Sequence, residues 1–195
     1  MNRLMRLLII AAIIAAIPAA SYGDEASKAL HDQRKHEFFT YTGDVLQIAL
    51  PASGLGYSLF IKDFDGAKSW CLSVGSAFIL MEGLKYAVGR PRPYQEPDAR
   101  GQSFPSGHTT GAFVGAAYWQ RRYGWKAGAP AYALAALTGC SRVWSKNHYW
   151  SDVIAGAAIG TAFPYIFTKA YEKNQIDVGV EPSSGGGHIS LSFQF

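Results

Sequence analysis

Three cations, two histidines, an aspartate and a serine–glycine pair recur at the ends of apolar segments in this chain. They are Lys85, Arg92, Ser106, Gly107, His108, Arg142, His148 and Asp152. Cations, a hydroxyl group and the free N–H groups of a helix start are the groups that bind a tetrahedral oxyanion such as phosphate. Histidines can add a nucleophile for phosphorus and an acid for the departing oxygen. These residue types therefore predict chemistry at a phosphoryl group.

The spacing of the last histidine and the aspartate supports this interpretation. Asp152 lies four residues after His148, one helical turn away, where a carboxylate can accept the ring N–H and aim the other nitrogen. The cations can neutralise the charge that develops on phosphate, so we expect no metal and no cofactor. Each residue alone also has a structural explanation, since Lys85 could pair with Glu82 and either histidine could be structural. Their conjunction on one face favours the chemical explanation.

Five apolar stretches of 17 to 23 residues must position these side chains, and none shows the alternation of a strand. They cover residues 41–61, 66–88, 107–123, 127–144 and 151–170. Helices of this length extend over about 25 to 35 Å. The pattern predicts an all-α bundle of five helices, or six with the apolar N-terminus, with the candidate residues at one end.

Hydropathy leaves two environments open. Mean hydropathy is only +0.01, and Asp44, Glu82 and Lys85 interrupt the apolar stretches, so a soluble helical bundle is one alternative. All five tryptophans lie at or near the ends of the stretches, as aromatic side chains do at membrane interfaces. The helix lengths and the tryptophans favour a transmembrane bundle.

The distribution of Lys and Arg addresses the orientation of such a bundle. If the chain starts in the cytoplasm, nine lie on each side. A role in the chemistry can account for Lys85, Arg92 and Arg142 on the outer side. Without these three, nine Lys and Arg residues lie on the inner side and six on the outer side. This favours a bacterial inner-membrane protein with its active site at the periplasmic face, and a soluble periplasmic protein is the alternative.

The two ends of the chain differ from the helical domain expected at residues 24–173. Residues 1–23 carry Arg3 and Arg6 before an apolar run, which is typical of a signal peptide or an uncleaved signal anchor. Residues 174–195 are rich in glycine and serine and predict a flexible tail, although apolar residues alternate from Ile189 as in a strand.

Charge and cysteines restrict the function classes further. The net charge of +4 is spread along the chain, so nucleic acid is not an expected partner. Cys71 and Cys140 are predicted near opposite ends of their helices, farther apart than the approximately 7 Å between Cα atoms that a disulfide tolerates. We therefore expect two free thiols.

Three segments, KYAVGRPRP, PSGH and SRVWSKNHYWSD, resemble the signature of the type 2 phosphatidic acid phosphatase superfamily. The match consists of lysine, six residues and Arg-Pro; then Pro-Ser-Gly-His; then Ser-Arg, five residues, histidine, three residues and aspartate. It extends from Lys85 to Asp152, about a third of the chain. The resemblance implies the oxyanion pocket shared by membrane lipid phosphatases, soluble acid phosphatases and vanadium haloperoxidases.

The resemblance also implies a role for each matched residue. His148 would be the nucleophile that forms a phosphohistidine, Asp152 would orient it and balance its charge, and His108 would be the general acid. The residues implied to hold the phosphoryl oxygens are Lys85, Arg92, Ser106, Gly107 and Arg142. Arg90 does not fit the spacing and is expected at the rim of the site.

The expected activity is metal-independent hydrolysis of lipid phosphate monoesters or pyrophosphates, such as prenyl pyrophosphate, phosphatidylglycerophosphate, phosphatidic acid or lipid A. One alternative is a soluble periplasmic non-specific acid phosphatase. Another is a non-enzymatic protein that binds anionic headgroups, which would need the cations but neither histidine nor Asp152. The chain is much shorter than the haloperoxidases, which disfavours that activity.

Overall fold

A computed structural model describes residues 25–95, 101–171, 176–183 and 186–193, with side chains described for 37–95 and 101–171. The expected signal segment, 1–23, lies outside the described residues. The described helices are α1 Glu25–Phe60, α2 Phe64–Val88, α3 Gly107–Tyr123, α4 Trp125–Trp144 and α5 Trp150–Phe167. Two strands follow, β1 Ile176–Ser183 and β2 Gly186–Phe193.

The five helices confirm the helical bundle, and one boundary was wrong. α1 is a continuous helix of 36 residues that begins at Glu25, sixteen residues before the predicted start at residue 41. The missed segment is polar, but it is rich in alanine, lysine, glutamate and other strong helix formers. An apolar stretch therefore does not mark the full length of a helix.

The strands lie in the segment expected as a tail. β1 and β2 pair antiparallel, with Val178 opposite Leu191 and Val180 opposite Ile189. The alternating residues seen in the sequence are therefore one strand of a hairpin, and the described part of the chain is a helical bundle followed by that hairpin.

Helix α3 is the centre of the bundle and contacts the other four helices. Its buried residues include an almost unbroken run from Thr109 to Gln120. The core cluster around it is built mainly from small side chains, and its members are Leu50, Ala112, Ala116, Trp119, Ala131 and Ala135. Small side chains let helix backbones approach closely and give the packing its precision.

The contact between α3 and α5 brings backbone against backbone. A Cβ atom at Gly156 would lie 2.6 Å from the carbonyl oxygen of Ser106, and one at Gly160 would lie 2.5 Å from the carbonyl oxygen of Thr110. Residues 156 and 160 form a small-xxx-small pattern, which allows backbone-to-backbone contact. This glycine seam, Gly156 and Gly160, sets how closely the start of α5 approaches the start of α3.

A buried ion pair joins helices at the end of the bundle away from the predicted site. Asp63 caps α2 by accepting from the N–H of Gly66, and it also accepts from Nε of Arg122 at 2.8 Å and from the hydroxyl of Tyr123 at 2.9 Å. Burial alone would raise the pKa of Asp63, but these hydrogen bonds and the positive charge of Arg122 lower it. The carboxylate is therefore charged at neutral pH and ties α2 to α3.

The outer surface of the bundle is apolar. Among the described helices, α2 alone has the length and composition needed to cross a membrane, and only 17% of its most apolar window is buried. Large apolar side chains are exposed on several helices, among them Ile48, Leu59, Phe60, Phe64, Leu72, Ile79, Ile154 and Ile166. Such a surface is far more extensive than the isolated apolar residues common on soluble proteins.

The tryptophans divide into two groups. Trp125, Trp144 and Trp150 lie at helix ends and are 62%, 64% and 58% exposed. Trp119 is buried and donates from Nε1 to Ser53, and Trp70 donates to the carbonyl of Pro51. Three of the five thus fit the expected interfacial placement, and two pair with α1 instead.

Both cysteines are free, as expected, and both are exposed.

The glycine seam leads to a stability prediction. Gly160→Ala places a methyl group 2.5 Å from a backbone oxygen, so α3 and α5 must separate, at a cost of about 1 to 3 kcal/mol. Gly75→Ala is the matched control, because a Cβ atom there meets nothing within 4 Å and alanine favours the helix by about 1 kcal/mol. Thermal unfolding in mild detergent should show a lower Tm for the first variant only. Equal Tm values would show that the seam does not limit packing.

Candidate active site

The eight residues predicted from the sequence all lie at one end of the bundle. Two helices end there, α2 and α4, and two begin there, α3 and α5. The residues are Lys85 near the end of α2, Arg92 in the following loop, Ser106, Gly107 and His108 at the start of α3, Arg142 at the end of α4, His148 in the next loop and Asp152 in the first turn of α5.

His148 is buried and held by one hydrogen bond. Its Nδ1 lies 2.7 Å from the carbonyl oxygen of Ser103, and a carbonyl can only accept, so Nδ1 carries the hydrogen. Burial, reinforced by the charges of Arg92 and Lys85, lowers the pKa of His148 to about 4, against the opposing effects of the Ser103 carbonyl and Asp152. The ring is therefore neutral at pH 7, and Nε2 retains its lone pair.

Asp152 does not hydrogen-bond to His148, which corrects the expected direct contact. The distance from Oδ2 of Asp152 to Nδ1 of His148 is 3.7 Å, and the ring N–H goes to Ser103. The fully buried carboxylate instead accepts from Ser103 Oγ at 2.6 Å, the Tyr149 backbone N–H at 2.9 Å and Arg90 at 2.8 Å. Asp152 therefore acts on His148 by its charge across 3.7 Å and through Ser103, whose hydroxyl binds the carboxylate while its carbonyl binds the ring.

Arg90 is a structural partner of the site and does not lie free at its rim. Besides Asp152, it donates to Ser151 at 2.7 Å, and its guanidinium lies 4.0 Å from the centre of the Tyr149 ring. Arg90 thereby ties the loop after α2 to the start of α5 and supplies the positive charge that a buried carboxylate needs.

The start of α3 offers fewer free N–H groups than expected. The backbone N–H of Ser106 donates to the carbonyl of Asp152 at 3.0 Å, and the Ser106 hydroxyl accepts from Thr109. Gly107 and His108, the first two residues of α3, keep N–H groups with no partner in the described part of the chain. The anion-binding groups of the helix start are therefore those of residues 107 and 108.

Two of the three cations, Lys85 and Arg92, act on the start of α3 and on His148. Lys85 is half-buried, and its Nζ is 3.5 Å from the position of a Cβ atom at Gly107. Arg92 donates to the hydroxyl of Tyr94 at 3.3 Å, and its charge acts on both Lys85 and His148. Together they place positive charge between the start of α3 and the His148 ring.

The third cation, Arg142, is buried and already bound by other groups. It donates from Nη1 to Asp44 at 2.7 Å, from Nη2 to the carbonyl of Thr40, and from Nε to Ser141 at 3.1 Å. Asp44 also accepts from Nε2 of His108 at 2.9 Å. The two groups expected to handle phosphate and the leaving group therefore share one carboxylate on α1.

Sequence reasoning missed Asp44 and Ser103 and misplaced Arg90. One feature of the sequence could have identified Asp44, because it is a lone carboxylate in an apolar stretch. The role of Arg90 could have been suspected because it is a second arginine two residues before Arg92. Ser103 gave no signal in the sequence, because it holds His148 through its backbone carbonyl, which every residue type has.

This arrangement suits phosphoryl transfer. A neutral histidine with a free lone pair can attack phosphorus, cations and N–H groups can stabilise the oxyanion, and a second histidine can protonate the departing oxygen.

Comparison with known proteins supports this chemistry. Residues 66–176 match the PAP2 superfamily. The chain is 32% identical over 168 residues to the lipid A 4′-phosphatase of Helicobacter pylori, an alignment that covers 78% of this chain and 82% of that protein. It is 29% identical to the lipid A 1-phosphatase of Porphyromonas gingivalis, over 77% of this chain but only 38% of that longer protein.

A solved structure shows the same architecture. The crystal structure of Aquifex aeolicus LpxE superposes with a TM-score of 0.58 at 26% identity, over 67% of this chain and 83% of that one. The family match covers more than half of the chain and includes all eight predicted site residues. The chain therefore belongs to the PAP2 superfamily and is a phosphatase of that family.

Proposed function

We propose that this protein removes phosphate from lipid phosphates through a phosphohistidine on His148. The observation that carries the proposal is the state of His148, a buried, neutral ring whose Nδ1–H is bound to Ser103 and whose Nε2 has no partner among the described residues. A histidine held in one tautomer beside two cations is prepared for attack on phosphorus.

In the first step, Nε2 of His148 forms a bond to phosphorus, and the bond between phosphorus and the leaving oxygen breaks. The leaving oxygen takes that electron pair and receives a proton from His108. In the second step, water attacks the phosphohistidine, the N–P bond breaks with its electrons returning to Nε2, and the water proton passes to His108. The products are the dephosphorylated lipid and inorganic phosphate, and both histidines return to their initial states.

Charge stabilisation in both steps comes from this chain's own groups. Lys85, Arg92 and Arg142 supply positive charge, and the N–H groups of Gly107 and His108 supply hydrogen bonds to the phosphoryl oxygens. Ser106 contributes through its hydroxyl, because its N–H is committed to Asp152. We infer that the reaction needs no metal ion, because these cations perform the neutralisation that a metal would provide.

Lipid phosphates are the substrate class that the surface and the relatives favour together. The bundle exposes apolar side chains around its outer face, which suits a membrane protein with substrates at the membrane surface. Relatives that share most of the described chain act on lipid A. We propose the phosphates of lipid A-type saccharolipids as the first candidates, with the site at the periplasmic face of the inner membrane.

A substrate panel tests this proposal. Phosphate release in detergent, with EDTA present, should be at least about tenfold faster in kcat/KM for a lipid A-type phosphate than for a water-soluble alkyl phosphate, because remote binding energy adds to catalysis. Prenyl pyrophosphate, phosphatidylglycerophosphate and phosphatidic acid complete the panel. A preference for soluble phosphates would indicate a non-specific acid phosphatase, and a loss restored only by a divalent ion would overturn the metal-free mechanism.

Covalent trapping tests the nucleophile. Brief reaction with a ³²P-labelled substrate, followed by a quench, should leave an acid-labile label on the wild type and none on His148→Ala. The same variant should lose several orders of magnitude in kcat, because no other covalent route remains. Label retained in His148→Ala would assign the nucleophile elsewhere.

The pKa of His148 sets the acid side of the pH profile. Activity requires the neutral ring, so kcat/KM should fall as the pH drops through about 4, and not through the usual histidine range. Arg92→Gln removes a charge that lowers this pKa, so its acid limb should move to higher pH. Using one substrate for both enzymes keeps the substrate's own ionisation constant. Coincident acid limbs would contradict the assignment.

A further inference from the structure

Asp44 connects two parts of the site and belongs to none of the three motifs. It lies on α1, outside the residues 66–176 that match the family. Its Oδ1 accepts from Nε2 of His108 at 2.9 Å and from Nη1 of Arg142 at 2.7 Å. One carboxylate oxygen thus holds the general acid and a phosphate-binding cation in a common geometry.

The backbone of α1 is shaped for this contact. A Cβ atom at residue 43 would lie 2.2 Å from Oγ of Ser141 and 2.5 Å from Nη2 of Arg142, so any side chain larger than that of Gly43 would displace these two polar groups. One turn earlier, the carbonyl of Thr40 accepts from Arg142. Positions 40, 43 and 44 share one face of the helix, and that face is fitted to the end of α4.

The contact determines which nitrogen of His108 can exchange a proton. An ionised carboxylate only accepts, so Nε2 carries a hydrogen whenever it is bound to Asp44. Nδ1 of the same ring has no hydrogen-bond partner in the described part of the chain, and it is the nitrogen left to meet a substrate. Burial and the positive charges of Arg142 and Lys85 disfavour a second proton on the ring, and the negative charge of Asp44 favours it.

We propose that Asp44 is a positioning residue for leaving-group protonation, which holds His108 through Nε2 so that Nδ1 delivers the proton. The inference rests on the proposed phosphatase mechanism. In the first step, His108 begins with a proton on each ring nitrogen; the Nδ1 proton goes to the leaving oxygen as the P–O bond breaks, while Nε2 keeps its hydrogen, which remains hydrogen-bonded to Asp44. In the second step, Nδ1 regains a proton from the attacking water.

Leaving-group dependence distinguishes this role from a structural one. Asp44→Asn keeps the shape of the side chain and removes its charge. Its kcat/KM should fall about 10- to 100-fold for an alkyl phosphate, whose leaving oxygen needs a proton, and less than about threefold for 4-nitrophenyl phosphate, whose leaving group does not. The ratio of the two rates on one sample does not depend on the folded fraction, so partial unfolding cannot imitate this result.

A double-mutant cycle locates the effect on His108. In a His108→Ala background, Asp44→Asn should cause no further selective loss on the alkyl phosphate, because the acid is already absent. Asp44→Glu retains the charge and should recover part of the alkyl activity, and it carries the same ratio measurement if the asparagine variant does not fold. Asp65→Asn is the matched control, an exposed carboxylate that pairs with Lys68, and should leave both rates unchanged.

The outcomes separate this inference from the proposed function. Equal losses on both substrates, or a selective loss that persists in the His108→Ala background, would overturn the role of Asp44 while phosphohistidine trapping still succeeds. Failure of trapping in the wild type would instead overturn the proposed function.

Discussion

The buried carboxylate of Asp152 is the constraint on which the site depends. A charge without access to water is tolerated only when opposite charge and hydrogen bonds surround it, and here these come from Arg90, Ser103 and the N–H of Tyr149. Each donor belongs to a different segment: Arg90 to the loop after α2, Ser103 to the loop residues before α3, and Tyr149 to the start of α5. Satisfying one carboxylate therefore brings three segments to fixed positions, and the carbonyl of Ser103 then holds the His148 ring.

Helix α1 completes a site whose motifs lie entirely on the other helices. The family match begins at residue 66, yet the partners of Arg142 and His108 include Asp44 and the carbonyl of Thr40. A buried guanidinium without a counter-charge would be costly, and α1 supplies the counter-charge before any phosphate arrives. Substrate binding thus adds a second anion to a site in which the charge of Arg142 is already compensated by Asp44.

The sequence was sufficient for the helices and the motif residues, because both are encoded locally. Apolar runs predicted five helices, and α3 has the predicted bounds. The direct bond between Asp152 and His148 was expected from helical spacing, which gives proximity but not the competition from Arg90 and Ser103. The contact of Asp44 with His108 depends on the rotation of α1 against α3, which no local pattern encodes. The polar start of α1 was missed because it contains no long apolar run, and the pairing of the final strand was missed because β1 was not recognised as its partner.

Because of the glycine seam, side chains on the outer face can vary, whereas the spacing of α3 and α5 cannot. Where α5 meets α3, the backbone at Gly156 and Gly160 packs against the backbone of α3, so these two glycines set the spacing of the two helices. His108 at the start of α3 and His148 just before α5 are therefore held at a distance that this spacing sets. Side chains on the outer face, such as Ile154 and Ile166, can then change with the lipid environment without moving the reacting groups. The fold can in this way adapt its outer surface to new membranes and new lipid substrates while a single geometry for phosphoryl transfer is inherited unchanged.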